Sequence, residues 1–207
     1  MNPYKVVEDF ELALSEYTGA PYVVTTNSCS MAIQLCVALH VAKLSKCPTC
    51  GIGTGLSVEI PKRTYASVPN AVLNVMGNVE FVGVNWQGEY RMSPLNVWDS
   101  ARRFRKGMYR HGQMQCVSFQ TSKILGLEQG GAILHDNPEA DEWLRRARFD
   151  GRLNASEKLP KMRGWHCYMN PSTAALGLQR LACLPDDNPD NGGSYMFEDL
   201  SKLDIWK

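Results

Sequence analysis

The stretch over residues 31–44 is apolar nearly all round, with Met31, Ile33, Leu35, Cys36, Val37, Leu39, Val41 and Leu44 distributed over every face of a helix. Such a helix has no side to offer to water and must be buried. The chain of 207 residues is long enough for one sizeable core and marginal for two. Around the buried helix, short apolar or β-branched runs at residues 22–25, 56–60, 79–84, 96–98, 115–119 and 131–135 read as strands. Residues 4–17 carry Val6, Phe10, Leu14 and Tyr17 at helical spacing, with Glu8, Asp9, Glu11 and Glu16 mostly on other faces. Gly19 and Pro21 close that helix. Further helices are expected over residues 65–76, 138–149 and 172–184. Strands alternating with helices predict an α/β fold, a mostly parallel sheet with helices on both faces. In such sheets ligands bind beyond the carboxyl ends of the strands.

Composition narrows the function classes. Hydrophobic residues make up 44% and charged residues 21%, the balance of a globular chain. A net charge of +1 gives no electrostatic case for nucleic acid or an anionic membrane as partner. No apolar run approaches the ~20 residues that span a bilayer, and the acids within residues 1–14 argue against a secretory signal. Seven cysteines is an odd count. Cys36, Cys116 and Cys183 have apolar neighbours, where a thiol acts as a small hydrophobe. The expected compartment is a reducing cytoplasm without a disulfide framework.

Chemistry-bearing residues gather at the expected strand ends. The turn Asn27-Ser28-Cys29-Ser30 follows a strand and opens the buried helix. Free N–H groups and the dipole at a helix start make an anion site, although Ser and Asn are also ordinary caps. Asp99 closes a strand in Trp98-Asp99-Ser100-Ala101. A carboxylate there needs a partner, either the next backbone segment as a cap or a protonated ring nitrogen that it would keep cationic. Lys123 follows a strand in Ser118-Phe119-Gln120-Thr121-Ser122-Lys123, ahead of Gly126 and Gly130-Gly131. It reads as a solvated loop lysine or as a desolvated amine able to attack an aldehyde.

Together these pieces resemble the DegT/DnrJ/EryC1/StrS aminotransferases, sugar aminotransferases of the fold type I pyridoxal phosphate class. The likeness runs from about residue 8 to residue 185. FELALSEYTGAPYVVTTNSCSMAIQL is similar to that family's opening helix, strand and phosphate turn, and PKRTYASVPNAVLNVMGNVEFVGV to its next helix and strand. DSA matches the aspartate motif and SFQTSKILGLEQGGAIL the lysine motif, which is the specific one. WLRRARFDGR and RGWHCYMNPSTAALGLQRL resemble the segments that follow.

The resemblance implies a pyridoxal phosphate-dependent transferase and assigns roles. Lys123 would form the Schiff base and shuttle the proton, and Asp99 would pair with the pyridine nitrogen. Tyr65 would stack on the ring. Ser28, Cys29, Ser30 and Ser118 would bind the phosphate, with Ala101 beside the cofactor. The implied reaction moves an amino group from glutamate or glutamine to the keto sugar of a nucleotide-sugar. The implied partner is a second copy of the chain, a homodimer with shared sites. Alternatives are a different small carbonyl or a modified nucleobase as substrate, and a degenerate, non-catalytic partner subunit.

The chain also departs from the family pattern. Between Tyr90 and Asp99 a strand, a helix and a longer connection shrink to a few residues. The expected division is a cofactor-binding large domain over residues 1–185 and a linker with a short tail over residues 186–207, the C-terminal small domain being largely missing. Arg102 stands where a glutamine near the cofactor's phenolic oxygen is usual. His166 replaces an asparagine that reaches the neighbouring subunit's phosphate, and reads either as a hydrogen-bond donor to that phosphate or as a packed histidine. Cys47 and Cys50 form a lone CxxC, half of a zinc site, and read as a loop insertion without metal. The basic run Arg102, Arg103, Arg105, Lys106 and Arg110 is expected to serve substrate phosphates or an acidic amino donor.

Overall fold

The computed structural model describes residues 3–44 and 55–206. The Cys47/Cys50 pair lies outside the described residues. Helix α1 (Lys5–Thr18) leads to β1 (Tyr22–Thr26) and α2 (Cys29–Leu44). Then come β2 (Ser57–Pro61), α3 (Ser67–Leu73), β3 (Asn78–Val82), β4 (Tyr90–Met92) and β5 (Val97–Asp99). Strands β6 (Met114–Ser118) and β7 (Gly131–His135) precede α4 (Pro138–Arg148) and α5 (Pro171–Ala182). Single 3-10 turns punctuate the remainder at Ser194–Met196, Leu200–Lys202 and Asp204–Trp206.

The main sheet has the order β1-β7-β6-β5-β4, and β2 and β3 form a parallel pair beside it. The backbone N–H of Glu59 in β2 donates to Ser93 O at 2.7 Å, so an isolated bridge joins the two sheets. The α/β architecture agrees with the sequence reading, but the pairing in the main sheet is mixed. Only β5 and β6 run parallel there; β1/β7, β6/β7 and β4/β5 are antiparallel. For β4/β5 and β6/β7 the cause is the connections. No helix crosses over within residues 83–96 or 119–130, and neighbouring strands joined without a crossover run in opposite directions.

Helices cover both faces, and the strands show it residue by residue. Val24, Cys116 and Ile133 join the core under α2, α3 and α4. Their neighbours Val23, Val117, Ala132 and Leu134 point the other way, onto α1 and α5. This period-2 alternation with both sides apolar is what a doubly covered sheet requires. Helix α2 is buried along ten of its positions, including Leu35, Cys36 and Val37 at 0% exposure, which explains its lack of a polar face. Cys183, expected among apolar neighbours, is exposed just past α5 because the helix buries only Ala174, Gly177 and Leu181.

One acid on the first helix has a role its spacing did not suggest. Glu11 is buried and accepts hydrogen bonds from the Thr25 backbone N–H at 2.9 Å and the Thr25 hydroxyl at 2.7 Å. Arg145 and Arg148 from α4 pair with the same carboxylate. Burial alone would raise its pKa, but the two guanidinium groups and these hydrogen bonds outweigh it and hold the carboxyl below its ordinary value. Glu11 thus ties α1 to β1 and to α4.

Removing one member of a buried charge cluster leaves the others uncompensated, at a cost of about 3–5 kcal/mol. Glu11→Ala is expected to destabilise the protein by that order in urea unfolding. Because the folded pKa is depressed, the stabilisation is complete above the ordinary value of 4.5 and is lost as pH falls through the lower folded value. Acid titrations of wild type and Glu11→Ala should therefore converge at low pH.

Candidate functional site

Strands β5 and β6 run side by side with Asp99 paired to Cys116. Asp99 and Ser118 therefore end their strands on the same edge. The turn after β1 lies next to them, since Thr26 pairs with Gly131 at the start of β7. The approach there is close. A Cβ on Gly131 would lie 2.5 Å from the Cys29 backbone nitrogen, so only glycine lets strand and turn meet. Helix α2 then begins at Cys29, its first N–H groups having no acceptor within the helix. Ser28 acts as the cap, its hydroxyl accepting from Met31 N at 3.3 Å.

These elements enclose a cavity of about 500 Å³ at the carboxyl ends of β1, β5 and β6. Ser28, Cys29, Ser30, Tyr65, Asp99, Ala101, Ser118 and Lys123 all line it. So eight of the nine expected site residues, drawn from positions far apart in the chain, meet in one place. His166 does not. It lies on an exposed surface, its ring 2.9 Å from Asp150 and edge-on to Tyr168 at 4.9 Å.

Asp99 is only 6% exposed. Its carboxylate accepts from the Tyr90 hydroxyl at 2.7 Å and from the Ala101 backbone N–H at 3.0 Å. Burial still raises its pKa, against the lowering effect of those donors and of Lys123 and Arg102. The Lys123 amine is shifted the opposite way. Burial and the repulsion of Arg102 lower its pKa, and the attraction of Asp99 offsets only part of this. Burial and the charge of Asp99 push the Cys29 thiol well up, so it stays neutral beside the helix start. Ser30 and Ser67 share a 2.6 Å hydroxyl contact on one wall, and Tyr65 stands 64% exposed at the mouth.

The basic run divides. Arg102 lines the cavity, held by Asn191 O and Oδ1 at 3.1 Å each. Arg103 and Arg110 pair with buried Glu89, Arg103 and Arg105 with Asp190, and Lys106 with Asp186. Those four close ion pairs within the fold, so of the whole run Arg102 alone faces the cavity. The residues after 186 complete the cavity wall. Phe197 lines it, stacks on Trp86 at 5.8 Å, and accepts from Arg63 through its carbonyl at 2.8 Å. Lys62 pairs with Asp199 at 2.9 Å and accepts from Leu200 N at 2.8 Å. Tyr90 and Phe197 were not found by sequence reasoning, and Thr64 was covered only as part of the stretch from Pro61 to Tyr65. Tyr90 reaches Asp99 through a strand pairing that leaves no local pattern, Thr64 meets Tyr90 from the loop after β2, and Phe197 sits in a turn-rich tail.

A ligand cavity at the strand ends of a doubly covered α/β sheet, with a buried carboxylate and a desolvated lysine facing one space, defines a cofactor-binding α/β class of protein. The match to a family model then makes the assignment specific. Residues 1–109 and 105–191 match the DegT/DnrJ/EryC1/StrS aminotransferase family, and the chain belongs to it. Solved structures with this fold include a DegT/DnrJ/EryC1/StrS aminotransferase from Brucella abortus, 22% identical with a TM-score of 0.69 over 88% of this chain and 59% of that one. NtdA from Bacillus subtilis, solved with bound cofactor PMP, is 23% identical with a TM-score of 0.66, covering 85% of this chain and 47% of its own. DesI, solved in the presence of its TDP-sugar product, is 19% identical with a TM-score of 0.66, covering 87% and 53%. The chain thus spans 47–59% of the length of these proteins.

Pyridoxal phosphate is the cofactor of that family, and the donor set here fits it. Hydroxyls of Ser28, Ser30 and Ser118 with a helix start suit a phosphate dianion. A buried carboxylate without a permanent cation against it suits a protonated ring nitrogen, and a lysine of lowered pKa suits an aldehyde.

Since Arg102 helps to lower the Lys123 pKa, the pH midpoint for capture of an aldehyde by Lys123 should lie below the usual 10.5. Arg102→Leu is expected to raise it. Borohydride trapping across pH, followed by peptide mapping of Lys123, measures both.

Proposed function

We propose that this protein is a pyridoxal phosphate-dependent aminotransferase that moves an amino group from an amino acid, glutamate or glutamine, to the keto sugar of a nucleotide-sugar. The observation that carries the reading is the meeting of Lys123 and Asp99 on one cavity that the start of α2 also faces. Family membership supports the reaction class, and the TDP-sugar product named for DesI supports the acceptor class.

The residues divide the work by their chemistry. The first turn of α2, with Ser28, Cys29, Ser30 and Ser118, holds the phosphate. Asp99 accepts the N–H of the ring nitrogen and keeps that nitrogen protonated. Ala101 fixes Asp99 through its backbone N–H, and Tyr65 covers one ring face. Lys123 would hold the aldehyde carbon through its Nζ, and its free amine would take up and give back the proton that the exchange requires. Bound in this way, pyridoxal phosphate supplies the electron sink that lets an amine and a ketone exchange their nitrogen. Residues 1–185 form the cofactor-binding unit in this reading. The active form is a homodimer, with His166 and Tyr168 reaching the neighbouring copy's site; the 70% exposure of the His166 side chain leaves it free to do so. Cytoplasmic residence suits its free cysteines.

Pyridoxal phosphate added to the purified protein is expected to give a visible absorption band that Lys123→Ala abolishes. Glutamate or glutamine should bleach the band and a keto sugar nucleotide restore it. Restoration only by other small carbonyls or by a nucleobase would replace the acceptor. A band that no amino acid bleaches would indicate a cofactor-binding partner subunit without turnover, and no band at all would end the assignment.

A further inference from the structure

Strand β4 brings a hydroxyl to Asp99 that the reaction just described does not require by itself. Tyr90 and Asp99 are directly opposed in the antiparallel β4–β5 pair. Directly opposed residues point to the same face, so both side chains enter the same side of the sheet. The residues flanking the pair, Glu89 and Ser100, meet separately through a 2.7 Å hydrogen bond. Tyr90 is 5% exposed, and a buried phenol needs a partner for its O–H. It has two. The Tyr90 oxygen lies 2.7 Å from Asp99 Oδ2 and 2.6 Å from the hydroxyl of Thr64, itself 2% exposed.

Proton counting orders this chain of oxygens. Tyr90 has one proton to give. While Asp99 is ionised, Tyr90 donates to it and Thr64 donates to Tyr90, so every proton has an acceptor. If Asp99 held a proton and donated it to Tyr90, Tyr90 would donate to Thr64. The Thr64 hydroxyl has Tyr90 as its partner among the described residues, so its proton would then lack an acceptor in a buried place. An unmet buried donor is costly. The other charged or titratable groups felt at Asp99 are Lys123 and Arg102 from the loops and Cys29 and Cys116 from α2 and β6. None of these is hydrogen-bonded to its carboxylate.

We infer that Thr64 and Tyr90 form a hydroxyl relay that fixes the orientation of the Asp99 carboxylate and favours its ionised form. Given the function proposed above, on which this role rests, Tyr90 is a positioning residue for the partner of the cofactor's ring nitrogen. It acts through Asp99 and touches no reacting atom.

The test has one arm without cofactor. Carboxyl carbon NMR of aspartate-labelled protein, with the Asp99 signal assigned from Asp99→Asn, reads its titration directly. Tyr90→Phe keeps the ring that packs on Trp86 at 4.8 Å and deletes the donor. It is expected to raise the Asp99 midpoint by about one to two pH units, the scale of a hydrogen bond to a charged group. Thr64→Val should raise it less, and Thr64→Ser should restore the wild-type value. In the second arm, the dissociation constant of pyridoxal phosphate should rise about tenfold or more in Tyr90→Phe at pH 8, again on that scale. An Asp99 midpoint unchanged in both Tyr90→Phe and Thr64→Val, with melting temperatures showing both variants folded, overturns the relay. A raised midpoint in a protein that binds no pyridoxal phosphate upholds the relay and removes the cofactor reading instead.

Discussion

A carboxylate sealed away from water at the end of β5 is the constraint around which the cavity is organised. Burying Asp99 carries a large desolvation cost, and the surrounding fold offsets it piece by piece. Tyr90 and the Ala101 backbone donate to it, while Lys123 and Arg102 lower its pKa without contacting it. The same burial acts on Lys123 with opposite sign, since desolvation favours the neutral form of either group. One environment thus holds an amine of lowered pKa and a carboxylate short of positive charge, the pairing that a cationic heterocycle with an aldehyde would complete.

The layered scaffold explains why these groups can be held so closely. With both faces of the sheet covered, the strand ends are positioned by packing on two sides at once. The close passage of Gly131 against Cys29 then sets the depth of the cavity at the helix start. On the other side, residues 186–206 run back along the rim and are stitched to Lys62, Arg63, Trp86 and Arg102. Phe197 and Arg102 therefore owe their places to contacts between distant parts of the chain.

Much of this is legible in the sequence. Asp99, Ser118 and the turn from Ser28 to Ser30 sit where strands end and Lys123 lies in the loop beyond β6; local patterning marks those places, and the resemblance of their motifs to the family's singles out the residues. The all-apolar face count of residues 31–44 likewise foretold a helix covered on every side. What stayed hidden depends on pairing between segments. The three residues of β4 carry no periodicity of their own, so neither the mixed sheet nor the Tyr90 hydroxyl at Asp99 could be read from them. Glu11 resembled an ordinary solvent-facing acid, because its arginine partners lie on α4. The basic run looked like a ligand site, yet its partners Glu89, Asp186 and Asp190 were already in the chain.

The isolated bridge between Glu59 and Ser93 marks a seam between the main sheet and the β2–β3 pair. On the far side of that seam lie Thr64 and Tyr65; on the near side lie Tyr90 and Asp99. The Thr64–Tyr90 hydrogen bond crosses it. The β2–β3 pair is thus tied to the main sheet at two points, the backbone bridge between Glu59 and Ser93 and the hydroxyl pair that reaches Asp99.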